Sequence, residues 1–390
     1  MIQKIWIVAG EASGDARSAE LMRALRALDP GLRFAGAGGP QMAELSDGPF
    51  DNWISEAGVL GLWDVLKHYG YFKAKFSAML DAIARHAPDT VVLVDYPGFN
   101  LRLAKALSKR LPKLRIVYYV SPQVWAWNRG RIPKMAGWLD LMLCIFPFEK
   151  ELYEASGLRT EFVGHPIVEL LGKDRIQVSR DTNLIGLFPG SREREVKRNF
   201  PAMAGAAKRI LASRPETRFE AASASQDHVA TMQAMAAAEG VRITISVGGA
   251  HSLMQRAGVG MVCSGTATLE AAYFGLPYCL IYKTAWLTFA IGKRLVKVPH
   301  LGIVNILAGR TVVREFIQDG ATPGALADEV LRLTNHAKAR DGLVADLNHV
   351  IAMLGGPGAS NRAARAILET PGPATNPRTL SNSKTHLPQP

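Results

Sequence analysis

Short apolar runs alternate with longer amphipathic stretches along most of this chain. Apolar runs bounded by polar turns predict buried strands at residues 5–9, 90–95, 115–121 and 141–146. Apolar positions at helical spacing predict helices over residues 14–28 and 101–110. Strands that alternate with helices are typical of parallel βαβ units, so we predict a doubly wound α/β domain in the first half.

The alternation starts again after a polar stretch at residues 172–182, which we interpret as a linker. Strands are predicted at residues 183–188, 218–222, 242–247, 258–263 and 277–282, and helices at residues 196–211, 226–239 and 266–274. We therefore predict two Rossmann-like domains, with ligands bound in a cleft between them. The predicted boundaries are 1–170 and 171–345 for the two domains, 346–370 for a terminal helix, and 371–390 for a disordered tail.

Composition narrows the class of protein. The 390 residues are 48% hydrophobic and 21% charged, which is typical of a globular protein. Three isolated cysteines in apolar runs predict buried free thiols rather than disulfides or a zinc site. The start of the chain lacks a signal-peptide pattern, and the longest apolar stretch, residues 278–291, is interrupted by Lys283. We expect a protein that is soluble or lies on a membrane surface, because spanning a bilayer takes roughly 20 apolar residues.

The charge of the chain points to the chemistry of its partner. A formal net charge of +12 favours an anionic partner, which leaves nucleic acid, lipid headgroups and phosphorylated substrates as candidates.

Acidic residues follow two of the predicted strands in the first half. Glu11 and Asp15 lie in the motif GEASGD at residues 10–15, and Asp95 ends the apolar run before Pro97. Ligands of open α/β sheets bind at the carboxyl ends of the strands. Partial burial there raises the pKa of a carboxyl group and favours a role as general base, so Asp95 is a candidate base. A turn or helix cap without catalytic function remains the alternative for both motifs.

A loop rich in tryptophan and arginine follows the third predicted strand. Its sequence, SPQVWAWNRGR at residues 121–131, includes Trp125 and Arg129. Such a loop offers apolar area and anion-binding groups to a substrate; a packed loop with a solvated basic end is the alternative.

Two strand-to-helix turns in the second half have the features of phosphate sites. In the first turn, Ser191 and Arg192 stand at a predicted helix start, where exposed N–H groups bind anions. In the second, Ser264, Gly265 and Thr266 offer hydroxyl and N–H groups. Glu270 lies one helical turn further on and can accept both hydroxyls of a ribose. Together the turns predict a nucleoside diphosphate site, with ordinary helix starts as the alternative.

Contact with a metal ion and contact with a membrane each have their own sequence signals. The nine histidines are scattered without metal-ligand spacing, so we predict no metal. Two apolar segments flanked by Lys and Arg, residues 58–76 with Trp63 and residues 286–297, are candidates for contact with anionic lipid. Core helices with solvated basic edges are the alternative.

The order of these motifs resembles one enzyme family. The resemblance to lipid-A-disaccharide synthases runs from about residue 4 to 368 and is carried by GEASGD (10–15), GGPQM (38–42), VDYPGFN (94–100), SPQVWAW (121–127), FPFE (146–149), VGHP (163–166), FPGSR (188–192) and SGTATLE (264–270). It implies the GT-B fold, with an acceptor domain first, a donor domain second and a last helix that crosses back to the first. The run Ala16-Arg17-Ser18 departs from the family, which often has a glycine there.

The resemblance also implies an activity and the residues that perform it. The family joins UDP-2,3-diacylglucosamine to 2,3-diacylglucosamine 1-phosphate with inversion, releases UDP, and uses no metal or other cofactor. It implies that the protein acts at an anionic membrane surface, on the cytoplasmic face of the inner membrane, and binds no nucleic acid. It implies no particular oligomeric state. By motif, Asp95 and Glu11 are the catalytic candidates; the UDP site takes Ser191, Arg192, Ser264, Gly265, Thr266, Glu270, Asn305 and Gln318; and the acceptor or membrane side takes Asp15, Trp63, Trp125 and Arg129.

Two other functions fit parts of the pattern. A related UDP-N-acetylglucosamine enzyme, either the peptidoglycan lipid II glycosyltransferase or a 2-epimerase, would share the turns of the second half but not VDYPGFN or SPQVWAW. A non-catalytic basic protein that binds RNA or membrane would leave the acids at strand ends unexplained.

Overall fold

A computed structural model describes residues 2–54, 69–286, 289, 292, 294 and 298–370. Two compact units divide the chain. One runs to Pro166 and resumes at Gly356, and the other comprises residues 167–355. Trp63 and the predicted tail at 371–390 lie outside the described residues.

The first unit is built on a seven-stranded parallel sheet in the order β3-β2-β1-β4-β5-β6-β7. Its strands are β1 (Lys4–Ala9), β2 (Arg33–Gly38), β3 (Phe50–Asn52), β4 (Thr90–Val94), β5 (Arg115–Tyr119), β6 (Leu141–Cys144) and β7 (Thr160–Phe162). Its helices are α1 (Ala12–Leu28), α2 (Pro40–Ala43), α3 (Tyr69–His86), α4 (Pro97–Arg110), α5 (Val124–Trp127), α6 (Ile132–Ala136), α7 (Pro147–Glu154) and, after the second unit, α16 (Ala359–Glu369), with a 3-10 turn at Arg129–Arg131.

The second unit is built on a six-stranded parallel sheet in the order β10-β9-β8-β11-β12-β13. Its strands are β8 (Asp181–Phe188), β9 (Arg218–Ser223), β10 (Thr244–Val247), β11 (Ala257–Cys263), β12 (Tyr278–Tyr282) and β13 (Glu315–Ile317). Its helices are α8 (Ile167–Gly172), α9 (Glu193–Ser213), α10 (Val229–Ala238), α11 (Ala250–Arg256), α12 (Thr266–Tyr273), α13 (Ile303–Ala308), α14 (Pro323–Asn335) and α15 (Ala337–Met353), with 3-10 turns at Gln226–His228 and Gln318–Gly320.

The central strands explain why apolar runs predicted them. Every residue of β4 and β5 is buried, as parallel strands covered by helices on both faces require. Strand β2 was not predicted, because its sequence RFAGAG has few large apolar side chains. Gly36 pairs with Ile7 of β1, and a Cβ there would lie 2.0 Å from the Ile7 carbonyl oxygen. A small residue is therefore needed at this position, and the apolar run is interrupted.

The chain returns to the first unit in its last helix. Helix α16 packs against α1. The buried Arg115 guanidinium donates to the Ile367 carbonyl, and Arg362 donates to the Val163 carbonyl. This helix therefore completes the first unit, which is the crossover that the GT-B fold expects.

The polar stretch interpreted as a linker is packed onto the second unit. The Arg180 guanidinium donates to the carbonyls of Met254, Ala257 and Phe274. Arg175 lies over the Tyr273 ring at 4.8 Å. The stretch is part of the second unit, which begins at Ile167, and it still looks polar in sequence because arginines can cap helix and strand ends.

Both sheets have a topological switch point. In the first sheet the chain runs from β1 outward through β2 to β3 on one side, and then crosses back to β4 on the other side of β1. In the second sheet it runs from β8 through β9 to β10 and crosses back to β11 on the other side of β8. The loops after the two central strands diverge there and open a crevice at the carboxyl edge, where ligands of open α/β sheets bind. The acids of the first half and the turns of the second follow these strands.

Candidate active site

A cavity of about 460 Å³ opens at the switch point of the second sheet. It lies at the carboxyl ends of β8, β9 and β11 and beside the start of α11. Six residues predicted for nucleotide binding line it together: Ser191, Arg192, Ser264, Gly265, Thr266 and Glu270. We call this cavity the donor pocket.

The first turn of the donor pocket is already occupied by a carboxylate. Glu195 Oε2 accepts the backbone N–H groups of Ser191 and Arg192 at 3.0 and 3.2 Å, and its other oxygen accepts from the Arg192 guanidinium. Gly190 has φ +117°, and a Cβ there would lie 2.5 Å from Glu195 Oε2. The prediction of exposed N–H groups at this helix start was wrong, because a glutamate three residues into α9 reaches back to cap it.

The Arg192 side chain remains open to solvent. It is 83% exposed and lines the donor pocket. An exposed guanidinium that already meets one carboxylate can turn to an entering diphosphate.

The second turn leaves its helix start open. Gly265 adopts φ +143° ahead of α12, a conformation that side chains other than glycine rarely tolerate. Its carbonyl accepts from the Thr268 hydroxyl and N–H, which fixes the first turn. Within the described part of the chain, no side chain caps this end of α12. The N–H groups at Thr266 therefore remain available to an anion.

Glu270 sits one turn into α12, with its carboxyl group in the donor pocket. Burial raises the pKa of this carboxyl, and the nearby His251 opposes the shift. His251 Nε2 lies 3.6 Å from Glu270 Oε2. Sequence reasoning did not single out His251, since it stands in a helix of ordinary appearance.

Asn305 and Gln318 do not line the donor pocket. Asn305 is fully buried; its amide donates to Glu315 and the Val313 carbonyl and accepts from two backbone N–H groups. Gln318 forms a pair of hydrogen bonds with the Thr284 backbone. Both amides hold the loops after β12 and before β13, and their assignment to UDP contact stays a prediction.

The first switch point carries Asp95 in a strained turn. Asp95 and Tyr96 both adopt left-handed backbone angles, φ +48° and +47°. The Asp95 carbonyl accepts from the Tyr118 hydroxyl at 2.6 Å and from the Asn100 amide at 2.9 Å. Non-glycine residues in this region cost roughly 1–3 kcal/mol each and persist only when their surroundings hold them. The contacts hold the backbone and leave the Asp95 carboxylate at the edge.

Burial and one nearby cation act in opposite directions on the pKa of the Asp95 carboxyl. Burial raises the pKa of its carboxyl; the Arg17 guanidinium, 3.7 Å away, and the Tyr96 backbone N–H both lower it. Glu11, at the end of the loop after β1, is exposed. Gly10 lies directly under the Tyr96 ring, where a Cβ would approach to 2.2 Å. The two predicted acids thus flank one switch point.

Asp15 has a different partner from the one predicted. It is 2% exposed, and its carboxylate accepts the backbone N–H groups of Gly39, Gln41 and Met42 at 3.0 to 3.1 Å. This contact joins the motif GEASGD to GGPQM. The assignment of Asp15 to the acceptor or membrane is therefore corrected, because its oxygens are already used within the fold.

Trp125 is buried and also plays a part in the fold. Its indole N–H donates to Glu149 Oε1 at 2.8 Å, and the Ser121 hydroxyl donates to Glu149 Oε2. Burial raises the pKa of Glu149 to about 7. The motif SPQVWAW is thus held to FPFE, and Trp125 is not placed to touch an acceptor or a membrane.

The exposed end of the same loop carries the aromatic and positively charged groups on which the prediction of a substrate-facing loop was based. Trp127 is 43% exposed, with the Arg131 guanidinium 5.1 Å from its ring centre. The Arg129 guanidinium donates to the Trp125 carbonyl from a half-buried position. Aromatic area and positive charge lie together at this surface.

The described residues hold neither a membrane-spanning helix nor a metal-ligand cluster. Over that part of the chain, no helix has both the length and the apolarity needed to cross a bilayer. No cluster of three His, Cys, Asp or Glu residues suited to a metal ion occurs in the described ranges. The three cysteines are buried and unbonded, as predicted.

Known proteins with similar structures share the fold. The UDP-GlcNAc 2-epimerase from Neisseria meningitidis, solved with UDP-GlcNAc bound, is 10% identical with a TM-score of 0.59, over 94% of this chain and 99% of that one. MurG from Acinetobacter baumannii is 14% identical with a TM-score of 0.57, over 94% and 100%. Such low identities show the two-domain GT-B fold and leave the reaction open.

Similarity in sequence decides the family. The lipid-A-disaccharide synthase of Trichlorobacter lovleyi is 41% identical over 379 residues, which cover 94% of this chain and 97% of that one. The profile described as lipid-A-disaccharide synthetase matches residues 5–367. The chain belongs to the lipid-A-disaccharide synthetase family of glycosyltransferases.

Proposed function

We propose that this glycosyltransferase joins UDP-2,3-diacylglucosamine to 2,3-diacylglucosamine 1-phosphate, with inversion at the anomeric carbon, and releases UDP. The observation that carries the proposal is the donor pocket, in which an open helix start, an exposed arginine and a carboxylate lie together. These groups match the diphosphate and ribose of a nucleotide sugar. Family membership supplies the reaction type.

The donor end of the reaction follows from charge. As the sugar leaves, negative charge grows on the UDP diphosphate. The N–H groups that begin α12 at Thr266 and the Arg192 guanidinium stabilise this charge, because they are aimed at the place where it develops. Glu195 holds Arg192 in the absence of a ligand and gives it up to the diphosphate.

The acceptor end needs a base. We propose that the Asp95 carboxylate takes the proton from the acceptor's 6-hydroxyl as this oxygen attacks the anomeric carbon. Burial raises its pKa, which strengthens the carboxylate as a base, while Arg17 favours the ionised form. The held backbone at Asp95 supports a fixed direction of the carboxylate.

The lipid part of both substrates favours work at a membrane surface. The net charge of +12, the exposed Trp127 and the half-buried Arg129 and Arg131 fit an anionic surface and the acceptor's phosphate. If Lys and Arg provide the attraction, salt will release the protein from anionic vesicles.

The test is incubation with the two diacylglucosamine substrates, followed by detection of UDP and disaccharide. Asp95→Asn should lose turnover by about 10²–10⁴-fold while UDP still binds in calorimetry. Asp81→Asn, a surface acid of the same unit, is the matched control. Arg192→Ala should weaken the binding of UDP, whereas Arg198→Ala, in the helix that follows Arg192, should leave UDP binding unchanged. If Asp95→Asn turns over normally, Glu11 becomes the candidate base. If the unaltered protein forms no disaccharide, the proposed substrates are wrong.

A further inference from the structure

A histidine lies between two carboxylates at the edge of the donor pocket. His251 Nδ1 is 2.6 Å from Asp174 Oδ2, and His251 Nε2 is 3.6 Å from Glu270 Oε2. The three side chains form a line from the polar stretch after α8 to the carboxylate in the pocket. The proposed reaction uses only the last of them.

The imidazole ring is held in place by more than its two carboxylates. Gln255 is buried one turn after His251 on α11, and its amide donates to the carbonyls of both Asp174 and His251. Its oxygen accepts the Ile176 N–H. The ring of His251 also packs on Phe274, with 5.4 Å between ring centres. The orientation of the imidazole is therefore set from three sides.

The chemistry of this line suits a fixed hydrogen-bond acceptor. His251 presents one ring nitrogen to each carboxylate, so Asp174 fixes the ring on one side while the other nitrogen lies toward Glu270. An ionised carboxylate has about four acceptor positions, so contact with His251 leaves room for two hydroxyl donors. Burial raises the pKa of the Glu270 carboxyl, and the nearby His251 lowers it.

We propose that His251 is a positioning residue that aims the Glu270 carboxylate at the two ribose hydroxyls of the nucleotide, with Asp174 fixing the ring. This inference rests on the proposed donor site. It assigns the choice of a ribonucleotide over a deoxyribonucleotide to a residue that does not itself touch the ligand. The two hydroxyls of a ribose satisfy the carboxylate, whereas a 2′-deoxyribose leaves one of its acceptor positions without a partner.

The experiment measures binding of UDP and of 2′-deoxy-UDP to the full chain by calorimetry. The unaltered protein should prefer UDP by about 10–100-fold, the range for one hydrogen bond to a charged group. In His251→Ala the preference should fall to about 3-fold or less, with affinity for 2′-deoxy-UDP nearly unchanged. Asp174→Ala should lower the preference less, and His251→Gln, which keeps an N–H donor, should restore part of it. His349→Ala, an exposed histidine on α15, is the matched control.

The outcomes separate this inference from the function on which it rests. If His251→Ala keeps the full preference for UDP, or loses affinity for both nucleotides equally, the positioning role is wrong while the donor site stands. If the unaltered protein binds UDP without preference, Glu270 does not bind the ribose and the inference fails with it. If the unaltered protein binds neither nucleotide, the proposed donor site itself fails.

Discussion

Removal of the cation beside Asp95 gives a direct test of the proposed base. Arg17→Met keeps much of the length of the side chain and deletes its charge. Without the guanidinium, the ionised form of Asp95 loses a stabilising partner, so the pKa of its carboxyl rises further. A base acts only when deprotonated, so the acidic limb of the pH profile should move to higher pH.

The size of the shift follows from the separation of the two charges. Charges 3.7 Å apart in a water-like medium interact by about 1 kcal/mol. A third of the Asp95 side chain is exposed, so the water-like value is the appropriate one. One pKa unit corresponds to about 1.4 kcal/mol, so the expected shift is about 0.5–1 pH unit.

The assay records kcat/KM for UDP release between pH 4.5 and 9, since this parameter reports the free enzyme. Arg17→Lys keeps a positive charge and should leave most of the profile in place. Arg23→Met removes an exposed charge from the same helix and serves as a control for net charge. If Arg17 also binds the acceptor's phosphate, the height of the profile will fall without moving its midpoint. An acidic limb that stays in place or moves to lower pH would refute the electrostatic argument at Asp95.

Two further predictions concern the residues that hold the first unit together. Glu149 has a pKa of about 7 in the folded chain against 4.5 as a free group, so the folded state keeps a proton that the unfolded state releases between these values. Its contribution to the free energy of unfolding should therefore fall by up to about 3 kcal/mol as pH rises through this window, and urea unfolding of Glu149→Gln at pH 5 and 8 should lack that fall. Asp15→Ala leaves three backbone N–H groups without their acceptor, at about 1–3 kcal/mol each; thermal unfolding should show the loss, while calorimetry with UDP should show unchanged binding.

Strand periodicity predicted the parallel architecture because central strands of both units are buried on two faces. Runs such as Thr90–Val94 contain little but apolar side chains, which is typical of a short strand covered on both faces. The short edge strands β3 and β13 were missed because three residues are too few to show a period. Strand β2 was missed for a packing reason, the close approach of Gly36 to the backbone of β1.

The sequence indicated which turns carry the candidate residues, but only in part which of their polar atoms are free to face a ligand. Position after a strand is a property of the sequence, so the acids and turns that follow the strands could be located. Whether a polar group faces a ligand depends on long-range partners. The Asp15 carboxylate meets N–H groups 24 to 27 residues away, and the Asn305 amide meets the chain seven to ten residues on. Neither partner is encoded at a spacing that a single sequence reveals.

The backbone at Asp95 is strained and needs supporting contacts, which explains why the motif VDYPGFN contains supporting residues beside the reactive one. Two consecutive left-handed residues, Asp95 and Tyr96, together cost roughly 2–6 kcal/mol at the usual rate per residue. Two hydrogen bonds to the Asp95 carbonyl, from Tyr118 and Asn100, offset a part of this at about 1 kcal/mol each. Packing offsets the rest of the strain energy, since the fully buried Trp53 contacts the Tyr96 ring edge to face. Since the carboxylate keeps its direction only while these contacts last, Asn100 belongs to the motif for the geometry of Asp95 rather than for a reaction of its own.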